Sequence, residues 1–263
     1  MHCEKNATGV AVLIASHDGS QDLWNPLLAL FQQYWPECPF PVYLVCNAAE
    51  YARSGVSIIS VGPDHSWSDT LLAALQLISE KYVLLWIDDH FLSEPVNADK
   101  IVAAIEAFKS VDGNYLRLQS LPKPDAQFNS HFGLVQKGSI YRTATVASVW
   151  KKSILMQLLR PGESAWDFET GGSIRSDRYD GFYSTWRDCF QIENLLIKGR
   201  TWRPSQRRIE RSLGRQMHLG RDVMSPLEEI VFSLRVLANR ALVRLPRRFA
   251  GALRSACHSG KAL

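Results

Sequence analysis

Residues 82–92 read Tyr82-Val83-Leu84-Leu85-Trp86-Ile87-Asp88-Asp89-His90-Phe91-Leu92, an apolar run that turns abruptly into two acids and a histidine. The run predicts a buried strand, and ligands in open α/β sheets bind beyond the carboxyl ends of such strands. Carboxylate oxygens suit Mg²⁺ or Mn²⁺, and an ion there would stabilise charge on a departing diphosphate. We therefore predict a divalent metal at Asp88, Asp89 and His90. The alternative is that these acids only end the strand and cap the next segment of the chain.

Outward from this strand, short apolar runs alternate with helical patterns, which is typical of a mostly parallel sheet covered by helices. The pattern predicts an α/β fold with strands near 9–15, 41–46, 57–61, 82–87 and 114–119 and helices near 21–34, 67–80 and 97–109. A hairpin is expected over 131–149 and a helix from near Trp150. We expect two units, a catalytic α/β domain over residues 1–203 and a basic, helical C-terminal extension over 204–263.

Composition narrows the class of protein. The 263 residues are 46% hydrophobic, enough for a full core. Neither a signal sequence nor an apolar stretch of transmembrane length is visible, so we expect a cytoplasmic protein. The five cysteines form no C-x-x-C pair, which argues against a zinc ribbon and a disulfide framework.

Charge is distributed unevenly. Residues 198–263 hold 15 Lys and Arg against 4 Asp and Glu, and no acid follows Glu229. Ser225-Pro226 predicts a helix start, and Ile230, Leu234, Leu237, Ala241 and Leu245 then recur at helical spacing. Pro246 is expected to break this helix before a second basic segment, Arg247 to Ala256. We predict a peripheral tail over 225–257 on the anionic inner face of the cytoplasmic membrane. Alternatively, the apolar stripe packs on the α/β domain or on a partner subunit.

Three motifs in order resemble the GT-A fold of glycosyltransferases, and in particular bacterial enzymes that build lipopolysaccharide, O-antigen or capsule glycans. They are Ala15-Ser16-His17-Asp18 after the first strand, the strand ending in Asp88-Asp89-His90, and Trp166-Asp167-Phe168-Glu169. The resemblance covers residues 9–200. It implies a sugar transfer, inverting and metal-assisted, from a nucleotide-sugar donor to a glycan or lipid-linked glycan acceptor. His90 departs from the family's Asp-x-Asp pattern, which places an acid at this position.

The resemblance also implies donor-binding residues. In that fold the strand-end acids hold the donor's metal and ribose, so the resemblance implies this role for Asp88. The residues after the first strand contact the base and ribose, so it implies that role for Ser16 and Asp18. An ordinary polar turn explains Ser16 and Asp18 equally well. Asp69 lies in a capping box with Ser66 at a helix start expected near the same sheet edge, so it either caps alone or also reaches the donor.

An inverting transfer needs a carboxylate that removes the proton from the acceptor hydroxyl. Asp167 forms a capping box with Ser164, and Asp167 and Glu169 point to nearly opposite sides of a helix. We therefore predict that Glu169 is the base and keep Asp167 as the second candidate. The alternative for Glu169 is a solvated helix acid.

Other functions are less consistent with the sequence. It contains neither G-x-G-x-x-G after the first strand nor G-x-x-x-x-G-K-[ST]. A sugar nucleotidylyltransferase needs a Gly-rich loop with Arg or Lys after the first strand, which Ser16-His17-Asp18-Gly19 does not supply. A non-catalytic, membrane-docked binding protein is the remaining alternative. Nucleic-acid binding is not expected, because the basic region lacks interleaved aromatic residues and the N-terminal body is acidic.

Overall fold

The computed structural model describes residues 9–242, and its first half alternates strands and helices. The order is β1 (Val10–Ala15), a 3-10 turn (Asp18–Ser20), α1 (Gln21–Tyr34), β2 (Val42–Cys46), β3 (Ser57–Ser60), α2 (Trp67–Leu77), β4 (Tyr82–Ile87), β5 (His90–Leu92) and α3 (Ala98–Ser110). The four strands predicted over residues 9–87 and the three predicted helices are confirmed, although α2 ends three residues earlier than expected.

The second half is more irregular. It contains β6 (Tyr115–Arg117), β7 (Ala126–Gln127), β8 (Phe132–Leu134), β9 (Ser148–Lys151), α4 (Lys152–Leu158), α5 (Ala165–Asp167), a π-helical turn (Phe168–Gly172), α6 (Ser173–Ser176), β10 (Phe182–Thr185), β11 (Ile192–Asn194), β12 (Leu196–Ile197), β13 (Arg200–Thr201), α7 (Arg203–Leu213) and α8 (Pro226–Leu242). The hairpin expected over 131–149 is wrong. Phe132–Leu134 pairs with β7 and β10, whereas Ser148–Lys151 lies between β4 and β6.

The central sheet has nine strands within the described residues, in the order β3-β2-β1-β4-β9-β6-β10-β8-β7. The pairs β3-β2, β2-β1, β1-β4 and β6-β10 are parallel, and β9 and β8 run against their neighbours. The expected α/β architecture, a mostly parallel sheet flanked by helices, is therefore confirmed. Because β1, β2 and β4 are parallel neighbours, their carboxyl ends meet at one edge.

Both faces of the sheet are covered, which explains the nearly continuous apolar strands β1 and β4. On one face, Val12 of β1 belongs to a core with residues of α1 and α3. On the other face, Leu13 of β1 belongs to a core with residues of α2 and α4. Alternate residues of one strand thus pack in opposite layers.

The described part of the C-terminal extension contains α7 and α8, joined by the non-helical residues 214–225. Ile209 of α7 is buried in the same core as α1, so residues 204–213 pack on the α/β unit. The predicted boundary at residue 203 stays a prediction. Leu245, Pro246 and the basic segment from Arg247 to Ala256 lie outside the described residues. Among the helices described, none has the length and apolar character needed to cross a bilayer.

Candidate functional site

A cavity of ≈ 340 Å³ opens at the carboxyl edge of β1, β2 and β4. Its walls come from the ends of these three strands and from the first turn of α2 with the loop before it. The lining residues are Ala15, Ser16, His17, Val45, Asp64, His65, Ser66, Trp67, Thr70, Leu71, Ile87 and Asp88. A concave site at this edge of an open α/β sheet is where ligands of such folds bind. Of the predicted site residues, Ser16 and Asp88 contribute to the lining.

Ser16 and Asp88 are joined directly. The Ser16 hydroxyl donates to Oδ2 of Asp88 at 2.6 Å, and Nε1 of Trp24 donates to the same hydroxyl at 2.7 Å. Burial raises the pKa of Asp88, although the bond from Ser16 opposes that rise. The Ser16 hydroxyl thus bridges Trp24 and Asp88. Ser16 therefore holds the Asp88 carboxylate in place and also lines the cavity.

Asp18 faces the loop after β2. Its Oδ1 accepts from the Asn47 amide at 2.8 Å, and its Oδ2 accepts from the Ala48 amide at 2.9 Å. Partial burial raises its pKa, but these backbone donors outweigh that effect, and the net pKa lies below the ordinary value. Asp18 therefore connects the loop after β1 to the loop after β2 through these hydrogen bonds. Its predicted contact with the donor stays a prediction.

Asp69 links the start of α2 to another loop. Its Oδ2 accepts from the Ser66 hydroxyl at 2.6 Å and from the Gly162 amide at 3.1 Å, and both bonds lower its pKa. Gly162 has φ +82°, a left-handed conformation that favours glycine. The capping role of Ser66 is confirmed. Asp69 thus ties the start of α2 to the loop at residues 161–162, which precedes the segment that carries Glu169.

Asp89 and His90 lie side by side at the end of β4. Burial raises the pKa of Asp89 to about 6. It lowers the pKa of His90 to about 4, although the charges of Glu169 and Asp88 oppose this shift, so the imidazole is neutral at pH 7. His90 Nε2 lies 3.9 Å from Asp89 Oδ1, and Nδ1 is buried without a hydrogen-bond partner among the described residues. Asp89 and His90 are thus both shielded from solvent next to each other.

The chemistry of this donor set fits a shared metal rather than a metal held by protein alone. Between residues 9 and 242 no group of three His, Cys, Asp or Glu side chains is arranged to hold an ion. Mg²⁺ is commonly bound through one or two carboxylates and completed by substrate phosphates and water. Asp88 and Asp89 suit that arrangement. The structure gives no support for His90 as a third ligand, and that role stays a prediction.

Glu169 lies in the π-helical turn, a local irregularity that is frequent at functional sites. Its Oε1 accepts from both the backbone amide and the hydroxyl of Thr145, each at 2.8 Å. Burial raises its pKa, while the bonds from Thr145 and the charge of Arg117 act in the opposite direction. The carboxylate is therefore fixed in orientation and more basic than a solvated glutamate.

Asp167 has a different environment. It is exposed, and its Oδ2 accepts from the Ser164 amide at 3.0 Å and from the Ser164 hydroxyl at 2.6 Å. Both bonds lower its pKa. The predicted capping box is confirmed. Asp167 accepts from Ser164 whereas Glu169 accepts from Thr145, so the two carboxylates have different partners.

Arg221 holds the loop after β1, although no sequence motif points to it. It forms a two-pronged ion pair with Asp22, with both N–O distances 3.0 Å, and donates to the Gly19 carbonyl and the Ser20 hydroxyl. Burial raises the pKa of Asp89, and the charge of Arg221 opposes that rise. About 200 residues separate Arg221 from the loop that it holds, so no local sequence signal could have indicated the contact.

The raised pKa of Asp89 makes a prediction about stability. A carboxyl whose folded pKa lies above its unfolded value, 3.8 for Asp89, stabilises the fold below about pH 4 and loses that contribution as the pH rises through about 6. Asp89→Asn removes the charge, so we expect it to be more stable than the wild type at pH 7.5 by roughly 1–3 kcal/mol. Urea unfolding in EDTA at pH 7.5 and pH 4 measures this. Equal midpoints at pH 7.5 would contradict the buried environment assigned to Asp89.

Comparison with known proteins tests the fold independently of the sequence motifs. No protein-family model and no curated protein sequence matches the chain. Among solved structures, UTP-bound UGPase from Acinetobacter baumannii matches with a TM-score of 0.50 and 12% identity over 87% of this chain and 98% of that chain. S. aureus TarS 1–349 matches with a TM-score of 0.45 and 12% identity over 67% of this chain and 60% of that chain.

A third similar structure is the mannosyltransferase PcManGT from Pyrobaculum calidifontis, solved in complex with GDP-Man and Mn²⁺. Its TM-score is 0.47 at 11% identity, over 95% of this chain and 74% of that chain. At such identities a likeness shows fold alone, and of these three matches the UGPase structure reaches a TM-score of 0.50. Together with the sheet order, that match confirms the expected GT-A-like α/β fold, whereas activity, substrates and partners are proposals.

Proposed function

We propose that this protein is a glycosyltransferase that uses a nucleotide-sugar donor. The observation that carries the proposal is the position of Asp88, which shares the wall of the ≈ 340 Å³ cavity with Ser16 and whose charge, with that of Glu169, acts on the same buried His90. Asp88 is an acid suited to a metal bound to a diphosphate, and Glu169 is the candidate base. The charges of both thus act on one buried group near the carboxyl edge of the sheet.

The cavity is proposed to take the nucleoside part of the donor. Trp67 gives it an aromatic wall and is itself supported by Phe168, with ring centroids 5.6 Å apart. Polar groups of His17, Asp64 and Ser66 line the same space and can hydrogen-bond a base or a ribose. In this arrangement Ser16 and Asp69 would position the walls, and Asp88 would lie near the diphosphate of the bound donor.

Asp88 and Asp89 are the residues that would hold Mn²⁺ or Mg²⁺, which when bound would neutralise charge on the leaving diphosphate. Glu169 would take the proton of the acceptor hydroxyl as that oxygen attacks the anomeric carbon and the bond to the diphosphate breaks. The two hydrogen bonds from Thr145 keep one Glu169 oxygen fixed. If the acceptor oxygen attacks from the face opposite the departing diphosphate, this single displacement inverts the configuration at the anomeric carbon.

The acceptor is proposed to be a glycan or a lipid-linked glycan of the lipopolysaccharide, O-antigen or capsule type. That class fits a cytoplasmic enzyme peripheral to the inner face of the membrane. The proposal for the acceptor depends on the resemblance of the sequence motifs and on the basic C-terminal region.

A donor screen tests the proposed function. Thermal shift and nucleotide release are measured with UDP-, GDP-, CMP- and dTDP-sugars, each with Mn²⁺, Mg²⁺ or EDTA. We expect one base to raise the melting temperature of the wild type, with a smaller shift in Trp67→Ala, which removes the aromatic wall of the cavity. Absence of any shift and of any nucleotide release across the panel would favour a non-catalytic binding protein.

A sugar nucleotidylyltransferase is the second candidate, favoured by the fold likeness to UGPase over nearly its full length. Such an enzyme needs a cation free to bind a triphosphate after the first strand. Among the described residues, Arg221 reaches this loop, and its guanidinium is held by Asp22, the Gly19 carbonyl and Ser20. The loop is therefore better suited to the glycosyltransferase reaction.

A further inference from the structure

Helix α8 exposes a row of large apolar side chains. Leu227, Ile230, Leu234 and Leu237 are between 59% and 71% exposed, and Val231 beside them is also exposed. Their spacing of three and four residues places them on one side of the helix. A soluble helix normally turns such a row toward its own core, so the orientation requires an explanation.

The orientation is set by contacts on another side of α8. Phe232 packs edge-on against Trp202, with ring centroids 5.3 Å apart, and Glu228 forms an ion pair with Arg200. Phe232 and Glu228 are four residues apart and therefore share a face. Ser225 caps the helix start through Glu228. Because this face is attached to the body of the protein, the apolar row points away from it.

The charge of the sequence favours one kind of occupant for this row. From Ile230 to Leu263 the chain contains no Asp or Glu, and its cations are Arg235, Arg240, Arg244, Arg247, Arg248, Arg254 and Lys261. A second copy of the chain would bring a like-charged segment against this one. An anionic surface would instead be attracted to it, and an apolar helix row within a basic stretch of sequence is typical of a helix that binds at a lipid interface.

We propose that the exposed apolar row of α8 docks on an anionic lipid bilayer, with the helix lying in the interface and the row inserted among the acyl chains. This inference does not depend on the proposed catalytic function. Docking would also hold the rest of the protein at the bilayer, because the contacts of α8 with Trp202 and Arg200 attach the helix to the body that carries the cavity.

Vesicle co-sedimentation of the full chain tests the proposal. Vesicles of phosphatidylcholine alone are compared with vesicles containing phosphatidylglycerol, at low and high salt. We expect preference for the anionic vesicles and weaker binding at high salt. The triple variant Ile230→Gln, Leu234→Gln, Leu237→Gln should lose roughly tenfold or more in partitioning, because it removes inserted apolar surface while leaving the Phe232 face intact.

The matched control is Leu77→Gln on α2, a leucine that is 64% exposed and lies outside α8. It should bind vesicles as the wild type does. Circular dichroism shows whether the variants remain folded. Undiminished sedimentation of the triple variant, or equal loss with Leu77→Gln, would overturn the proposal. The proposal would also be overturned if the wild type did not bind vesicles and instead formed a dimer in sedimentation velocity, with the triple variant monomeric.

Discussion

Asp89→Ala is expected to abolish sugar transfer and to remove the metal dependence of donor binding, with the fold retained. Asp89 follows the end of β4 at the edge where the cavity opens, and a divalent ion at Asp88 and Asp89 would contribute several kcal/mol of charge stabilisation in the transition state. Asp88→Ala should be damaging to a smaller degree. The measurement is initial rate and donor affinity with Mn²⁺ and with EDTA.

The control for this variant is Asp112→Ala. Asp112 is an exposed acid that pairs with Lys81 and Lys151 near the opposite ends of the strands. It should leave turnover and donor affinity unchanged. Turnover of Asp89→Ala equal to that of the wild type would remove the metal assignment, whereas equal losses in both variants would indicate general destabilisation.

Glu169→Gln is expected to bind the donor normally and to transfer sugar slowly, with a loss on the order of 10²-fold or more in kcat. The substitution keeps the size of the side chain and an oxygen for the bonds from Thr145, and it removes the ability to accept a proton. Burial raises the pKa of Glu169, so the rate of the wild type should rise with pH through that group and the rate of the variant should not. A pH–rate profile at saturating donor measures both effects.

Asp167→Asn is the matched comparison for Glu169→Gln. Asp167 is exposed, and an amide at this position still accepts from Ser164, so transfer should continue at nearly the normal rate. The reverse pattern, slow transfer by Asp167→Asn and normal transfer by Glu169→Gln, would assign the proton transfer to Asp167.

Some of the fold could be read from the sequence because the signal was local. Strands β1 and β4 are buried on both faces and are therefore continuously apolar, and the helix starts at Ser66 and Ser164 show their capping residues within three positions. The acids after β4 followed from the same pattern. Each of these features depends on residues that are close neighbours along the chain.

Features set by distant contacts were missed. The pairing of β9 with β4 and β6, instead of with β8, depends on strand order in the sheet. Thr145 fixes Glu169 across 24 residues, and Arg221 reaches Asp22 across 199. The hydroxyl of Ser16 is engaged by Trp24 and Asp88, which the turn sequence alone could not indicate. These contacts appear only when the chain is folded, although they decide how the site is arranged.

Phosphorus NMR of the reaction products tests the central claim most directly. The donor selected in the screen is incubated with the wild type, membrane lipids carrying glycan acceptors and Mn²⁺, first alone and then with pyrophosphate. The glycosyltransferase account predicts a nucleoside phosphate or diphosphate as the released product, formed without pyrophosphate and nearly absent with Glu169→Gln. A nucleoside triphosphate that forms only when pyrophosphate is added would contradict it.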